Sequence, residues 1–313
     1  MTKVTSPKPL ASAPPPMHTV AMVGLIMAIA FYKLPTLDEI DAVATKETFQ
    51  RVVFPNLLTV KSMGWIRVMY AITFLLVTGE MLRSNGWAQT TSYKAGTKLL
   101  QTDNKLTGWR TLLPFTSISW NLLGIAFATS GYITLSEGDV PQWLLRMAYV
   151  SWELAAPFSV LVAFVVRYAI WPAVLAAGNS TAALKSTRNK FMHNFNVLFA
   201  VSEVALLGGI PIQASHISLA TIFGCMYVIL SWNVTHIWNT PDKVPQFIYF
   251  FLDTTMPGYF ATIALVMLLM VLMTFYSLFV MAEYILSNLL GGSLLLHIAF
   301  CVVLGGISMR FRD

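Results

Sequence analysis

A histidine, asparagines and a glutamate, all with acid–base or hydrogen-bonding chemistry, lie in a largely apolar stretch, residues 190–209. Successive residues of an α-helix are rotated by about 100°, so His193, Asn196 and Glu203 fall on one helix face, together with Ala200. Ionisable groups at membrane depth are costly, and they almost always face other helices or a water-filled cavity. The stretch therefore predicts a polar stripe turned toward the inside of a helical bundle.

A hydroxyl at the depth of His193 would complete a nucleophilic pair. Thr116 lies about five residues into a helix expected to begin near Thr111, and His193 about three residues into one beginning near Lys190, which puts both roughly 5–8 Å deep. A neutral imidazole can take the hydroxyl proton during attack and return it to the leaving group. Two structural roles fit as well: threonine can bond to a carbonyl one turn earlier, and histidine can reach the membrane interface.

Other polar residues are expected at the same membrane surface. Asn233 and Asp253 lie near the ends of two further segments, and with Asn196 and Glu203 they form the candidate polar core. The only two cysteines, Cys225 and Cys301, lie in hydrophobic segments, so neither a disulfide framework nor a thiolate metal site is expected. No glycine-rich phosphate loop is present, and we expect no metal and no cofactor.

The composition indicates an integral membrane protein. Of the 313 residues, 56% are apolar and only 11% are charged, whereas soluble domains have about 25% charged residues. The net charge of +6 resides in loops and tails, where it orients membrane helices, and we expect no nucleic-acid partner.

The elements that must position these side chains are membrane helices. Residues 1–17 are Pro-rich and expected to be disordered. Residues 18–35 are a short hydrophobic segment, either a cleaved signal or a first helix, because Ala28, Ile29 and Ala30 have the small-x-small form of a cleavage site. Residues 62–308 are expected to form an all-α, polytopic transmembrane bundle, with about 7–8 spans in the whole chain. The expected apolar segments are 62–82, 111–135, 144–171, 190–209, 217–237, 258–284 and 288–308.

The distribution of lysine and arginine predicts that both termini are cytoplasmic. With that orientation the cytoplasmic side holds Lys3, Lys8, Arg83, Lys94, Lys98, Lys105, Arg110, Lys185, Arg188, Lys190, Lys243, Arg310 and Arg312. The opposite side holds Lys33, Lys46, Arg51, Lys61 and Arg146, while Arg67 and Arg167 lie within helices.

At Thr116, His193 and the stretches around them, the chain resembles the androgen-induced, FAR-17a-like family of multi-pass membrane proteins. The similarity covers about residues 62–284. It includes residues 109–117 (WRTLLPFTS), His193 with Glu203 ten residues later, residues 224–227 (GCMY) running to Trp232, and residues 249–253 (YFFLD).

The resemblance implies a function. Members of this family are atypical hydrolases that use a threonine and a histidine, and their substrates are fatty acid esters of hydroxy fatty acids. By that resemblance Thr116 is the nucleophile and His193 the general base. The family threonine usually follows the tryptophan sooner, at the position of Leu113, so Thr111 and Ser117 remain alternatives.

The sequence therefore predicts an intramembrane, threonine-type lipid-ester hydrolase whose partners are membrane lipids and a lipid-ester substrate. An endomembrane location, the endoplasmic reticulum, is expected. Glu203, Asn196 or Asp253 could orient the imidazole, and Asn194 or Asn233 could donate to the oxyanion. The alternative is a non-catalytic multi-pass protein, either a transporter or a structural subunit of a membrane complex.

Overall fold

The computed structural model describes residues 14–84, 87–89, 96–98, 104–234 and 247–313. Most of the Pro-rich tail expected over 1–17 lies outside these ranges. Within them the chain is almost entirely helical, and one short antiparallel pair joins β1 (Trp87–Gln89) to β2 (Asn104–Leu106).

Twelve α-helices are present in the described residues. They are α1 (Met17–Tyr32), α2 (Leu37–Val43), α3 (Lys46–Gln50), α4 (Val60–Arg83), α5 (Phe115–Leu135), α6 (Gln142–Val165), α7 (Trp171–Ala176), α8 (Thr187–Lys190), α9 (Asn196–Leu206), α10 (Ile217–Asn233), α11 (Phe260–Tyr284) and α12 (Leu294–Ser308). Three π-helical turns, Val166–Ile170, Phe191–Phe195 and Ile285–Leu289, continue α6, α8 and α11.

Five of these helical runs are long and apolar enough to cross a membrane. Within the described residues they are Val60–Arg83, Phe115–Leu135, Gln142–Ala176, Ala214–Asn233 and Phe260–Leu289. A sixth candidate is the pair Met17–Tyr32 and Leu37–Gln50, which is bent by 65° at its break. The prediction of a multi-pass helical membrane protein is confirmed at this level.

The chain forms two compact units. The first consists of Met1–Lys33, Met81–Pro114 and Thr221–Val271, and the second of Leu34–Glu80, Phe115–Ala220 and Leu272–Asp313. In the first unit a small apolar core gathers around Val23, Cys225, Phe247, Leu252 and Leu265.

The second unit is built around α6. Every residue from Ser151 to Ala163 is buried, so this helix has no face left for lipid over that length. Helices α5 and α9 pack against it, and α12 packs on α9. A helix that is buried on every side must be covered by other elements, so α6 lies at the centre of the unit.

Glycines allow α4 and α5 to approach closely within the second unit. A Cβ at Gly124 would lie 2.8 Å from Cβ of Phe74, and one at Gly131 would lie 3.2 Å from the backbone nitrogen of Val68. Membrane helices gain little from hydrophobic association, so small residues that permit tight van der Waals packing are a main source of their affinity.

The start of α5 differs from the sequence prediction. The expected helix near Thr111 is instead a 3-10 turn, Gly108–Leu112, and α5 begins at Phe115. Pro114 accounts for the break, because proline lacks an N–H and disfavours helical geometry in the residue before it. Thr116 therefore lies in the first turn of α5, and its depth cannot be matched to that of His193 by counting from Thr111.

Candidate functional site

His193 lies in the π-helical turn Phe191–Phe195, inside a continuous helical run from Thr187 to Leu206. Its Nδ1 atom is buried and has no hydrogen-bond partner among the described residues. Buried polar atoms are nearly always paired, and π-turns occur frequently at functional sites. The imidazole therefore keeps one ring nitrogen free for a proton or for another molecule.

Thr116 is half-buried in the first turn of α5, and α5 packs against the π-turn that carries His193. In the described part of the chain no hydrogen bond joins the two side chains. The two elements are neighbours, although the nucleophile–base contact is not formed. Of the alternatives, Ser117 is buried on α5, whereas Thr111 belongs to the first unit and its hydroxyl donates to the Gly108 carbonyl over 2.7 Å.

The polar stripe faces the protein, as predicted. Glu203 and Ala200 are fully buried and Asn196 nearly so. Two of the residues predicted to orient the His193 imidazole, Asn196 and Glu203, do not hydrogen-bond to it, so the prediction is wrong for both. The Asn196 amide donates to the Ser159 carbonyl over 3.2 Å, and Glu203 pairs with Arg67.

The expected oxyanion donor Asn194 is also engaged elsewhere. Its amide nitrogen donates to the Arg310 carbonyl over 2.8 Å, and its oxygen accepts the Arg310 N–H over 3.1 Å. Paired twice with backbone, Asn194 anchors the segment after α12.

The buried ion pair Arg67–Glu203 is the centre of the second unit's polar interior. Both side chains are inaccessible to solvent, and Nε of Arg67 donates to Glu203 Oε2 over 2.9 Å. Nη1 of Arg67 also donates to the Phe49 carbonyl and to the Thr134 hydroxyl. The charges are therefore fully hydrogen-bonded, which is the condition for burying an ion pair away from water.

Between α9 and the 3-10 turn Ala214–His216 that precedes α10 the chain is not helical, yet residues 207–210 and Ile212 are buried. We call residues 207–213 the extended segment. Its buried backbone N–H and C=O groups need hydrogen-bond partners from the protein.

Side chains from α6, from α9 and from the residue after α3 supply hydrogen bonds to the backbone of the extended segment. The Gly208 N–H donates to Glu203 Oε1 over 3.2 Å, and Trp152 Nε1 donates to the Ile210 carbonyl over 3.0 Å. Arg51 donates to the carbonyls of Gly208 and Gly209. Gly208 leaves no room for a side chain, since a Cβ there would lie 2.7 Å from Glu203 Oε1.

A second buried carboxylate, Glu153 on α6, holds the other end of the extended segment. It accepts hydrogen bonds from the Tyr149 hydroxyl over 2.9 Å, from the Gln213 N–H over 2.9 Å and from His216 Nδ1 over 2.8 Å. Tyr276 donates to the Gln213 carbonyl over 2.9 Å. Glu153 and His216 were not among the site residues predicted from sequence, although an acidic residue inside a long apolar segment is a signal that could have identified Glu153.

Asn233 and Asp253 belong to the first unit. Asn233 is exposed and its amide donates to the Ile229 carbonyl one turn earlier. Asp253 is buried and accepts from the Thr97 hydroxyl over 2.6 Å and from the N–H and hydroxyl of Thr255. These bonds give Asp253 a local structural role in the first unit.

The segment after α12, residues 309–313, is anchored on the second unit. Asp313 accepts hydrogen bonds from Thr181 over 2.8 Å and from Trp171 Nε1 over 3.1 Å, and it pairs with Lys185. The Arg310 guanidinium lies 5.1 Å from the centre of the Trp171 ring. The Lys185 ammonium, followed by the Thr181 hydroxyl, lowers the pKa of the Asp313 carboxyl below its usual value.

These features define a multi-pass, helical, integral membrane protein with a polar interior of two buried acid–base pairs. Within the described residues no group of three or more His, Cys, Asp and Glu side chains could hold a metal ion. Comparison with models of protein families, with curated proteins and with solved structures finds no match. The resemblance to the androgen-induced family stays a prediction.

Proposed function

We propose that this protein is an intramembrane lipid-ester hydrolase in which Thr116 is the nucleophile and His193 the general base. The single observation that carries the proposal is the buried, unpartnered Nδ1 of His193 on a turn that packs against α5. A histidine kept only for structure would normally have this nitrogen bonded to a carbonyl or hydroxyl.

The chemistry requires a neutral imidazole, and a surrounding from which water is excluded favours that form. His193 takes the proton of the Thr116 hydroxyl as the oxygen attacks the ester carbonyl, and it gives that proton to the departing alcohol. Water then attacks the acyl-threonine with His193 again as base, which releases the fatty acid and restores the hydroxyl. Bound substrate would have to bring Thr116 and His193 into hydrogen-bond reach, since catalytic contacts are often loose without a ligand.

The proposed substrates are esters of fatty acids with hydroxy fatty acids, or similar membrane lipids. The resemblance of residues 62–284 to the androgen-induced family supports this class. An apolar ester with one polar centre can also enter sideways from the bilayer, which suits a nucleophile in the first turn of a membrane helix.

The proposed topology has about 7–8 spans, both termini in the cytoplasm and the endoplasmic reticulum as the compartment. Two further helical runs, in addition to the five long apolar ones and the bent pair, support the proposed 7–8 spans. Residues 187–206 are helical throughout but contain Arg188, Lys190 and Glu203, while Leu294–Ser308 is apolar but short. A run of about 20 residues reaches roughly 30 Å, the thickness of the hydrocarbon layer.

The proposal is tested by labelling with a fluorophosphonate probe in detergent micelles, followed by ester turnover. Thr116→Ala should abolish both, and His193→Ala should lower turnover by about 10²–10⁴-fold, the usual contribution of a general base. Thr129→Ala is the matched control, because Thr129 is also half-buried on α5 but its hydroxyl donates to the Ile125 carbonyl. Full ester turnover by Thr116→Ala with intact folding would refute Thr116, and loss in Ser117→Ala alone would move the role to Ser117.

A second candidate function is transport, and one observation favours it. Buried ionisable groups inside a helical bundle, here Arg67 with Glu203 and Glu153 with His216, line ion and proton pathways in many membrane transporters. Reconstituted vesicles separate the two functions: a transporter would move a charged solute or proton across the bilayer in both Thr116→Ala and unmodified protein, whereas a hydrolase would not.

A further inference from the structure

The Glu153–His216 pair is a second acid–base centre, separate from Thr116 and His193. Glu153 is fully buried on α6, and His216 is 2% exposed just before α10 begins at Ile217. His216 Nδ1 and Glu153 Oε2 lie 2.8 Å apart. Ionisable pairs at such depth in membrane proteins commonly form proton relays.

The partners of Glu153 favour its ionised form. The Tyr149 hydroxyl, the Gln213 N–H and His216 Nδ1 each donate to Glu153, and hydrogen bonds donated to a carboxylate stabilise the charged state. Glu153 is therefore a fixed acceptor that requires Nδ1 of His216 to carry a proton.

The remaining ring nitrogen, Nε2, is then the atom that can exchange a proton. Because Nδ1–H donates to Glu153 in both forms of the imidazole, the bond persists while Nε2 gains or loses its proton. Binding that proton changes the net charge of the pair from −1 to 0. Two opposite charges in contact are far less costly inside a membrane protein than one isolated charge.

Charged and titratable groups on the neighbouring helices surround the pair. Tyr149 precedes it on α6, Tyr276 and Glu283 approach from α11, and Glu39 lies on α2. Glu39 is exposed, and its carboxylate interacts electrostatically with His216. The side chain of His216 is itself 3% exposed, and the exposed carboxylate that interacts with it, Glu39, lies on α2.

We propose that Glu153 and His216 form a proton-binding site, in which Nε2 of His216 exchanges a proton with the solution on the α2 side and Glu153 supplies the countercharge. The site is coupled to the extended segment, because Glu153 accepts the Gln213 N–H while Tyr276 donates to the Gln213 carbonyl. When His216 loses this proton, the negative charge of Glu153 is no longer neutralised. The attachment of the extended segment at Gln213 is then weakened. The proposal does not depend on the hydrolase function.

The test is NMR of the full chain in lipid nanodiscs with ¹⁵N-labelled histidine, recorded between about pH 5 and pH 8, the range in which imidazole usually titrates. His216→Gln identifies the His216 signal; if that variant does not fold, single glutamine variants of the other four histidines identify it by elimination. We expect Nδ1 to stay protonated throughout while Nε2 changes between protonated and free.

Glu153→Gln removes the countercharge but keeps a hydrogen-bond acceptor, so the Nε2 transition should move to lower pH. The matched control is Glu283→Gln, which removes a neighbouring carboxylate that does not contact His216 and should move it by much less. If Nε2 keeps one protonation state over the whole range, or if Glu153→Gln leaves its transition in place, the proposal is overturned.

Discussion

At the scale of single residues, two of the ion pairs of the second unit, Arg67–Glu203 and Arg146–Asp41, differ mainly in their surroundings. Arg67 and Glu203 are completely buried, whereas Arg146 and Asp41 remain 34% and 29% exposed in their side chains. An exposed pair is screened by water and can be lost at little cost. A buried pair that loses one partner leaves the other charge without compensation.

Glu203→Gln should therefore destabilise the protein by about 3–5 kcal/mol, measured by denaturant unfolding in mixed micelles. Asp41→Asn is the control and should cost far less, because water screens this exposed pair. The double variant Arg67→Met with Glu203→Leu should recover most of the loss, since it removes both charges together. Equal effects of Glu203→Gln and Asp41→Asn would contradict the buried pairing.

At the scale of elements, the sequence predicted the helices well because long apolar runs must be helical in a membrane. It predicted the burial of Asn196 and Glu203 for the same reason. It could not predict that Glu203 would pair with Arg67, because 136 residues separate them and helix periodicity carries no information about distant partners. The extended segment was missed in the same way: Gly208, Gly209 and Pro211 indicate a break but not which side chains satisfy it.

The segment after α12 gives a prediction at this scale. Since the pKa of Asp313 is lowered in the folded protein, its anchoring is fully present above the pKa of a free aspartate, about 4, and is lost as the pH falls below that value through the lowered pKa of the folded state. Asp313→Asn should release residues 309–313 already at neutral pH, seen as faster hydrogen exchange in that peptide. The exposed Asp139, changed to Asn, should leave the exchange unaltered. If hydrogen exchange in residues 309–313 is unchanged in Asp313→Asn, the prediction is wrong, and the hydrogen bonds between Asn194 and Arg310 are enough to hold the segment.

At the scale of the whole molecule, the long apolar helices indicate a multi-pass membrane protein, and the distribution of lysine and arginine predicts its orientation. Gly138 and Ala183 are exposed positions on either side of the long run Gln142–Ala176. That run is long and apolar enough to cross a bilayer, so we expect these two positions on opposite sides.

Single cysteines at these positions test the orientation, in a background where Cys225 and Cys301 are replaced by alanine. An impermeant maleimide applied to intact cells, or to sealed microsomes, should reach a cysteine at Ala183 only from the cytoplasmic side. A cysteine at Gly138 should react only from the opposite side. The reverse pattern would invert the topology, and labelling of both from one side would mean that Gln142–Ala176 does not span the membrane.

The pairing of Arg67 with Glu203 also affects how the protein is made. The ribosome synthesises Arg67 136 residues before Glu203, an interval of roughly 7–27 s at about 5–20 residues per second. During that time α4 has left the ribosome with a guanidinium whose neutralising carboxylate does not yet exist. Because an uncompensated charge is costly in the bilayer, we expect the nascent helix to stay at the translocon, at the lipid headgroups or beside an insertion chaperone until residues 187–206 emerge. We therefore expect complete insertion of α4 to be a late event in biosynthesis, after most of the chain has been translated.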